Sequence, residues 1–279
     1  MPSSKNKIVL ITGASAGIGK ATALQLLSEG YTVYGAARRL ERLQELAPKG
    51  LLPLQMDITK TEEIEQAVQT IQEKHGGVDV LINNAGFGLY GAVEDTAIDK
   101  ARYQFEVNLF GLARLTQLVL PYMRSKKAGT IVNISSMGGK IYFPLGAWYH
   151  ATKHALEGWS DSLRLELAPF GVDVVIVEPV AIDSEFGNVL GPMMQSNSGQ
   201  GAYAQQVENM NASLDASYER GGSSPTSVIA TTISKALKAR RPKTRYVAGR
   251  YAKPMLFMRR WLSDRSFDKL ILRTLATIK

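Results

Sequence analysis

The stretch IVLITGASAGIGKATALQLL, residues 8–27, decides the fold. Its first five residues, IVLIT, form a continuous apolar run of the kind a buried strand needs. Gly13, Gly17 and Gly19 follow at G-x-x-x-G-x-G spacing, with Ser15 and Ile18 between them, and apolar residues then recur at helical period. Strand, glycine turn and helix in that order suit a pyrophosphate. The glycines permit a tight turn and close backbone approach, and the new helix offers free N–H groups and its dipole. A Walker loop is excluded, because five residues separate Gly13 from the Gly19–Lys20 pair and Ala21 stands where a Ser or Thr is needed.

Further apolar runs lie at 31–36, 51–56, 78–83, 129–135, 172–178 and 244–248, with helical patterns in most gaps. This alternation predicts a doubly wound α/β domain of Rossmann type: a mostly parallel, seven-stranded sheet with helices on both faces, because parallel neighbours need crossovers that bury the strands. At 279 residues and 45% hydrophobic, the chain is long enough for one such domain over 1–279. It contains no run of eighteen apolar residues, and MPSSKNK leads straight into the first strand without an h-region, so a soluble, cytoplasmic protein is expected. Zero cysteines exclude disulfides and thiolate metal sites, and sequon-like stretches at Asn133 and Asn211 carry no weight in a reducing compartment.

A second segment, SSMGGKIYFPLGAWYHATK (135–153), carries the chemistry. A helix over 147–160 places Tyr149 and Lys153 one turn apart on one face, where an ammonium favours the ionised phenol. A phenol brought toward working pH is a usable general acid or base. The apolar run GTIVNISS delivers Ser136 at the C-terminal end of a strand, where open α/β sheets place their ligands. Its hydroxyl can hold a substrate oxygen.

Taken together these landmarks resemble the classical short-chain dehydrogenase/reductase family over roughly the first 190 residues, and are similar to its hydroxysteroid- and retinol-dehydrogenase-like members. TGASAGIG (12–19) resembles the family's cofactor loop, MDI (56–58) its adenine contact through Asp57 and Ile58, and NNAG (83–86) the segment after the fourth strand, with Asn84, Ala85 and Gly86 at the cofactor. Asn108 in FEVNLFG resembles the active-site asparagine, and Ser136, Tyr149 and Lys153 the other catalytic residues. EPVAIDS (178–184) resembles the nicotinamide-side segment P-G-x-I-x-T, with Pro179, Ile182 and Ser184 in register; Val180 replaces the glycine and Ser184 the threonine, so the path of that loop is open. The resemblance implies hydride transfer between a nicotinamide and a small-molecule carbonyl or alcohol. Tyr149 is then the proton donor and acceptor, Lys153 its modulator and a ribose ligand, and Asn108 the holder of a water. It also implies a homo-oligomer. The alternatives are a non-catalytic NADP(H)-binding regulatory protein, or a membrane-surface protein attached through a basic tail.

The cofactor is expected to be NADP(H). Ala37 stands where an NAD-selective chain carries an acid for the ribose, and Arg38 and Arg39 follow it, matching a 2′-phosphate in charge and geometry, with Ser15 as a further donor. The same arginines can instead open a solvated helix with Glu41 and Glu45 as partners. No metal is expected: His150 and His154 are four apart, but Ala151 stands where the HExxH glutamate belongs and the third histidine, His75, is distant in sequence. Tyr142, Phe143, Trp148 and Trp159 are candidates for a pocket lining or for core.

Residues 186–224, rich in Gly, Ser, Asn, Gln and Met, are expected to form a mobile lid or an ordinary flexible insertion. The basic character lies at the end. Residues 235–279 hold 14 Lys or Arg against 2 Asp, a net +12 in a chain whose total is +8. The basic extension over 250–279 is expected to pack its apolar side on the domain or a second subunit, or to touch an anionic membrane carrying a lipophilic substrate. No nucleic-acid recognition motif accompanies the charge.

Overall fold

The computed structural model describes residues 7–219, 222–250 and 252–277; most of the leader MPSSKNK and small parts of the expected lid and basic extension lie outside them. The strands are β1 (Ile8–Thr12), β2 (Thr32–Ala37), β3 (Leu52–Gln55), β4 (Val80–Asn83), β5 (Gly129–Ile134), β6 (Val172–Pro179), β7 (Ile182–Asp183), β8 (Ser224–Pro225) and β9 (Arg245–Ala248). Seven of them form one sheet in the order β3-β2-β1-β4-β5-β6-β9, every neighbouring pair parallel. β7 and β8 make a separate two-stranded ribbon. The order reverses between β1 and β4, and the crevice at that switch point lies between the loops that follow these two strands.

The helices are α1 (Gly17–Ser28), α2 (Leu40–Gln44), α3 (Thr61–His75), α4 (Ile98–Phe105), α5 (Gly111–Lys126), α6 (Ala147–Leu167), α7 (Glu185–Asn188), α8 (Leu190–Ser198), α9 (Ala204–Glu219), α10 (Thr226–Lys238), α11 (Ala252–Trp261) and α12 (Asp264–Thr277). Strand alternation sends side chains to two cores. Val9, Ile11, Val80, Ile82, Val132 and Val175 meet α1 and α10, whereas Leu10, Leu81, Ile131 and Val174 meet α3, α5 and α6. Beneath the second face Asn83 donates to Thr116 and Asn133, and Asn133 donates to Ser160 at 2.8 Å, so the sequon-like Asn133 is a buried cross-link.

The expected lid is helical. Leu190, Met194, Val207 and Met210, on α8 and α9, are buried in a third cluster with Tyr90, Ile141, Leu145 and Tyr149, and α12 adds Phe267, Ile271 and Leu275. Burial of one apolar stripe per helix outweighs the weak helix propensity of the Gly, Ser and Asn around it. Phe267 is fully buried, so its truncation to alanine would cost about 3–5 kcal/mol.

Candidate active site

Tyr149 and Lys153 sit in the first two turns of α6, both buried. The Lys153 Nζ lies 5.9 Å from the centroid of the Tyr149 ring and donates to the Ile134 carbonyl at 2.8 Å. Burial lowers the Lys153 pKa to about 8, while Glu157 one turn further along acts to raise it. The group is therefore still an ammonium at neutral pH, and it is held against the phenol ring by the end of β5.

Ser136 follows the end of β5. Its Oγ accepts the Gly138 N–H at 3.0 Å, which leaves the hydroxyl proton to be donated. Gly138 cannot carry a side chain here, since a Cβ would stand 3.1 Å from Tyr149 Cε1 and 2.9 Å from His150 Nδ1. His150 braces this loop. Its Nε2 accepts the Phe143 N–H at 3.1 Å, so the proton is on Nδ1, which lies 3.1 Å from the Gly138 carbonyl. Burial lowers the His150 pKa to about 4, keeping the ring neutral. Both ring nitrogens thus serve backbone groups, and among the described residues no group of three or more acids or histidines is placed for a metal ion.

Asn108 reaches the same place by a helix defect. Between α4 and α5 the chain winds as a π-helix over Glu106–Phe110, a widening of the kind often found at functional sites. Asn108 is buried there. Its amide donates to the Phe87 carbonyl at 2.9 Å and to Thr152 Oγ1 at 3.1 Å, and its oxygen accepts the Phe87 N–H at 3.1 Å. Gly86 lies beside it: a Cβ there would be 3.1 Å from Asn108 Oδ1 and 3.9 Å from Lys153 Nζ. Gly86, Asn108, Tyr149 and Lys153 are therefore neighbours, and Ser136 joins them through Gly138.

The glycine loop meets the loop after β4. Asn84 donates through its side chain to the carbonyls of Thr12 at 2.9 Å and Gly13 at 3.2 Å, and Thr12 Oγ1 accepts the N–H groups of Asn84 and Ala85. A Cβ on Gly19 would collide with the Gly13 carbonyl, and Gly13 takes φ +67°, so both glycines are required by geometry. The side chain of Asn84 thus braces the loop that its sequence position had paired with a cofactor. Ala16, the N-cap of α1, makes no side-chain cap, so no loop side chain occupies the first N–H groups of that helix. This donor set fits the phosphates of a dinucleotide.

Around that cradle, Asp57 Oδ1 accepts from the N–H and hydroxyl of Thr59, and Ile58 is buried in the second core. Ser15 is buried on the turn itself, and Ser184 Cβ stands 3.6 Å from the position of a Gly17 Cβ. In the loop after β6 the positive φ falls on Ala181, at +44°, and not on Val180, which is buried and donates its N–H to the Ala248 carbonyl at 3.0 Å. Pro179 ends β6 and Ile182 starts β7.

Arg38 and Arg39 diverge. Arg38 donates to the Tyr103 hydroxyl at 3.2 Å, whereas Arg39 pairs with Glu185 at 3.5 Å rather than with Glu41 or Glu45. Arg42, which the sequence did not single out, holds the same Glu185 at 2.8 Å. These pairs tie α2 to α7, 143 residues apart.

The Tyr149 ring is flanked by Tyr90 and Phe186, each with centroids 5.6 Å away, and Tyr90 N–H contacts Met193 Sδ at 3.4 Å. Neither aromatic was singled out in the sequence. Of those that were, Phe143 lies 6.1 Å from His150 between ring centroids, Tyr142 turns to Asp268, and Trp159 packs in the second core. Trp148 carries a buried indole nitrogen without a partner.

The model of the family described as short chain dehydrogenase matches residues 7–195. Over 181 residues the chain is 41% identical to 3-ketodihydrosphingosine reductase of Bacteroides thetaiotaomicron, a match covering 64% of this chain and 65% of that one, just under two thirds of the relative's length. NADPH-dependent 3-dehydrocapnine reductase of Ornithobacterium rhinotracheale is 32% identical over 284 residues, with 96% of this chain and 97% of the relative covered. Among solved structures, a short-chain dehydrogenase from Streptomyces avermitilis has a TM-score of 0.81 and 35% identity, covering 98% of this chain and 96% of that one.

Proposed function

Because the chain belongs to the short-chain dehydrogenase family of oxidoreductases, we propose that it interconverts a lipophilic ketone and its alcohol with NADP(H), using Tyr149 as general acid and base. The observation that carries this reading is the buried Lys153 ammonium between the Tyr149 ring and the Ile134 carbonyl. The nicotinamide, when bound, donates or accepts the hydride. In the reductive direction the carbonyl carbon gains that hydride while Tyr149 gives its phenolic proton to the developing alkoxide. Ser136 donates a hydrogen bond to the same oxygen, a contact that strengthens as charge builds there. Lys153 stabilises the resulting phenolate, and the Asn108 shell is the return path by which Tyr149 regains its proton. His150 is a positioning residue, holding Gly138 and through it Ser136.

Arg38 is assigned to the 2′-phosphate, since among the described residues it bonds the Tyr103 hydroxyl and pairs with no carboxylate. The substrate class follows from the apolar setting of Tyr149, formed by Tyr90, Phe186, Leu190 and Met194. It agrees with relatives named as reductases of 3-ketodihydrosphingosine and 3-dehydrocapnine. Calorimetric titration of wild type and Arg38→Asp with NADPH and NADH tests the cofactor assignment. Wild type should bind NADPH at least about tenfold more tightly, a difference worth about 1.4 kcal/mol, and Arg38→Asp should erase it. Equal binding of both cofactors by wild type would remove NADP(H) from the assignment.

A further inference from the structure

We infer that helices α11 and α12 form a docking face for an anionic membrane surface. Both helices bury an apolar stripe, and α11 carries a second one on its outer side. Inward, Met255, Leu256 and Leu262 pack on the cluster that contains Phe267, Ile271, Leu275 and Tyr149. Arg259 clamps the pair, lying 5.5 Å from the Tyr142 ring and 5.4 Å from Phe267, with Asp264 at 2.9 Å. The extension is thus fixed to the domain through its inner side.

Outward, Pro254, Phe257 and Trp261 recur on α11 at i, i+3 and i+7 spacing. Phe257 is 65% exposed, Trp261 is 70% exposed, and their rings are 6.2 Å apart. Leu272 is 59% exposed on α12. An amphipathic helix whose inward stripe is satisfied has no folding reason to display a second aromatic stripe in water. Cations accompany it: Arg260 stands 5.9 Å from the Trp261 ring, and Arg265 and Lys269 share the exposed side of α12 with Leu272. Among the described residues none of these three forms an ion pair within the chain.

Charge selects the occupant. A second copy would bring the same face, on helices that hold six Lys or Arg against two Asp over 252–277, and like charges in contact repel. A bilayer with anionic headgroups complements the charge, accepts Phe and Leu into its acyl boundary and suits Trp at the headgroup level. The contact is peripheral, since no helix among the described residues is long and apolar enough to cross a membrane. Its use follows from the inner cluster, which joins α12 to Tyr149: an enzyme seated by this face draws a lipophilic substrate from the bilayer.

Co-sedimentation of the full chain with phosphatidylcholine vesicles, with and without about 30% phosphatidylserine, tests the docking independently of catalysis. Wild type should partition onto the anionic vesicles, with a blue shift of Trp261 emission and loss of binding at high salt. Phe257→Ser/Trp261→Ser and Arg265→Glu/Lys269→Glu should each lower the partition coefficient at least about tenfold, while turnover of a water-soluble ketone and the oligomeric state by light scattering stay unchanged. Three outcomes overturn the inference: no binding to anionic vesicles; binding unaffected by Phe257→Ser/Trp261→Ser; or dissociation of an oligomer by that variant, which makes the face a subunit interface. Salt-sensitive binding to a mixed-sequence RNA that outcompetes the vesicles would likewise assign the charge to nucleic acid.

Discussion

The Asn108 side chain donates to Thr152 Oγ1 at 3.1 Å, and Thr152 in turn donates to the Tyr149 carbonyl at 2.8 Å. A π-helical widening in one crossover is thereby joined to the turn of α6 that carries Tyr149 and Lys153. Thr152→Val keeps the shape and removes both hydrogen bonds, so it should lower kcat about 3- to 30-fold with little change in NADPH affinity. Asn108→Ala should cost more, because it also removes the acceptor of the Phe87 N–H, while the Phe87 carbonyl keeps its bond from Gln104. Steady-state rates beside calorimetric NADPH titration check this; a parallel loss of binding in both variants would mean a structural role only.

If the reaction runs as proposed, Lys153 should give it an alkaline limit. Its pKa lies near 8 in the free protein because burial disfavours the ammonium. The kcat/KM for NADPH, which reports the free enzyme, should fall as pH rises through about 8. In Lys153→Arg the cation persists, so that limb should move upward even if the rate is lower at every pH. An unshifted limb would assign the ionisation to another group.

Stability should depend on pH through Glu178. Burial, with the Glu157 carboxylate beside it, raises its pKa to about 7 against the pull of Lys140 and Arg245. A carboxyl raised in the folded state binds a proton more tightly there than when unfolded. Its stabilising contribution is complete below pH 4.5, the ordinary value, and is lost as pH rises through about 7. The loss is at most about 3 kcal/mol. Wild-type Tm should therefore decline between pH 5 and 8 more steeply than that of Glu178→Gln, and matching slopes would contradict the assignment.

The loop after β6 separates two variants that the family pattern would treat alike. Ala181 holds φ +44°, which glycine adopts without penalty, so Ala181→Gly should raise stability by up to about 1 kcal/mol. Val180 has no positive φ and is buried, so Val180→Gly should lower stability by about 1–3 kcal/mol. Denaturant unfolding of both variants checks the order.

Glu185 bears on cofactor choice, since it occupies Arg39 and Arg42 together. Glu185→Gln should strengthen NADPH binding about 3- to 10-fold and leave NADH nearly unchanged, because only a 2′-phosphate gains from the released guanidinium groups. An exposed pair of this kind contributes little to stability, so Tm should hardly move.

Much of this was legible in the sequence because the fold writes itself in local signals. The five inner strands are mostly apolar and largely buried, the edge strands β3 and β9 less so, and observed ends of all seven lie within about two residues of the runs read from the sequence. The glycine loop and Ser136, Tyr149 and Lys153 were legible because each lies at the C-terminal end of a strand or in one helical turn. What escaped is non-local or hidden by composition. The spacing of Leu190 and Met194, and of Val207 and Met210, is helical, yet the polar residues around them suggested a loop. No residue type in EVNLF announces a π-helix, and nothing at Arg42 points 143 residues ahead to Glu185. His150, readable only as a doubtful metal ligand, proves to brace the loop that follows Ser136.

The most direct test of the account is the initial rate of NADPH oxidation by wild type and Tyr149→Phe with a long-chain 3-keto lipid and with small diketones, measured beside NADPH affinity. Tyr149→Phe should lose about 10²–10⁴-fold in kcat with the lipid ketone while its NADPH affinity changes less than about threefold. Undiminished turnover in Tyr149→Phe, or an equal loss of turnover and cofactor binding, would contradict the assignment of Tyr149 as the proton donor.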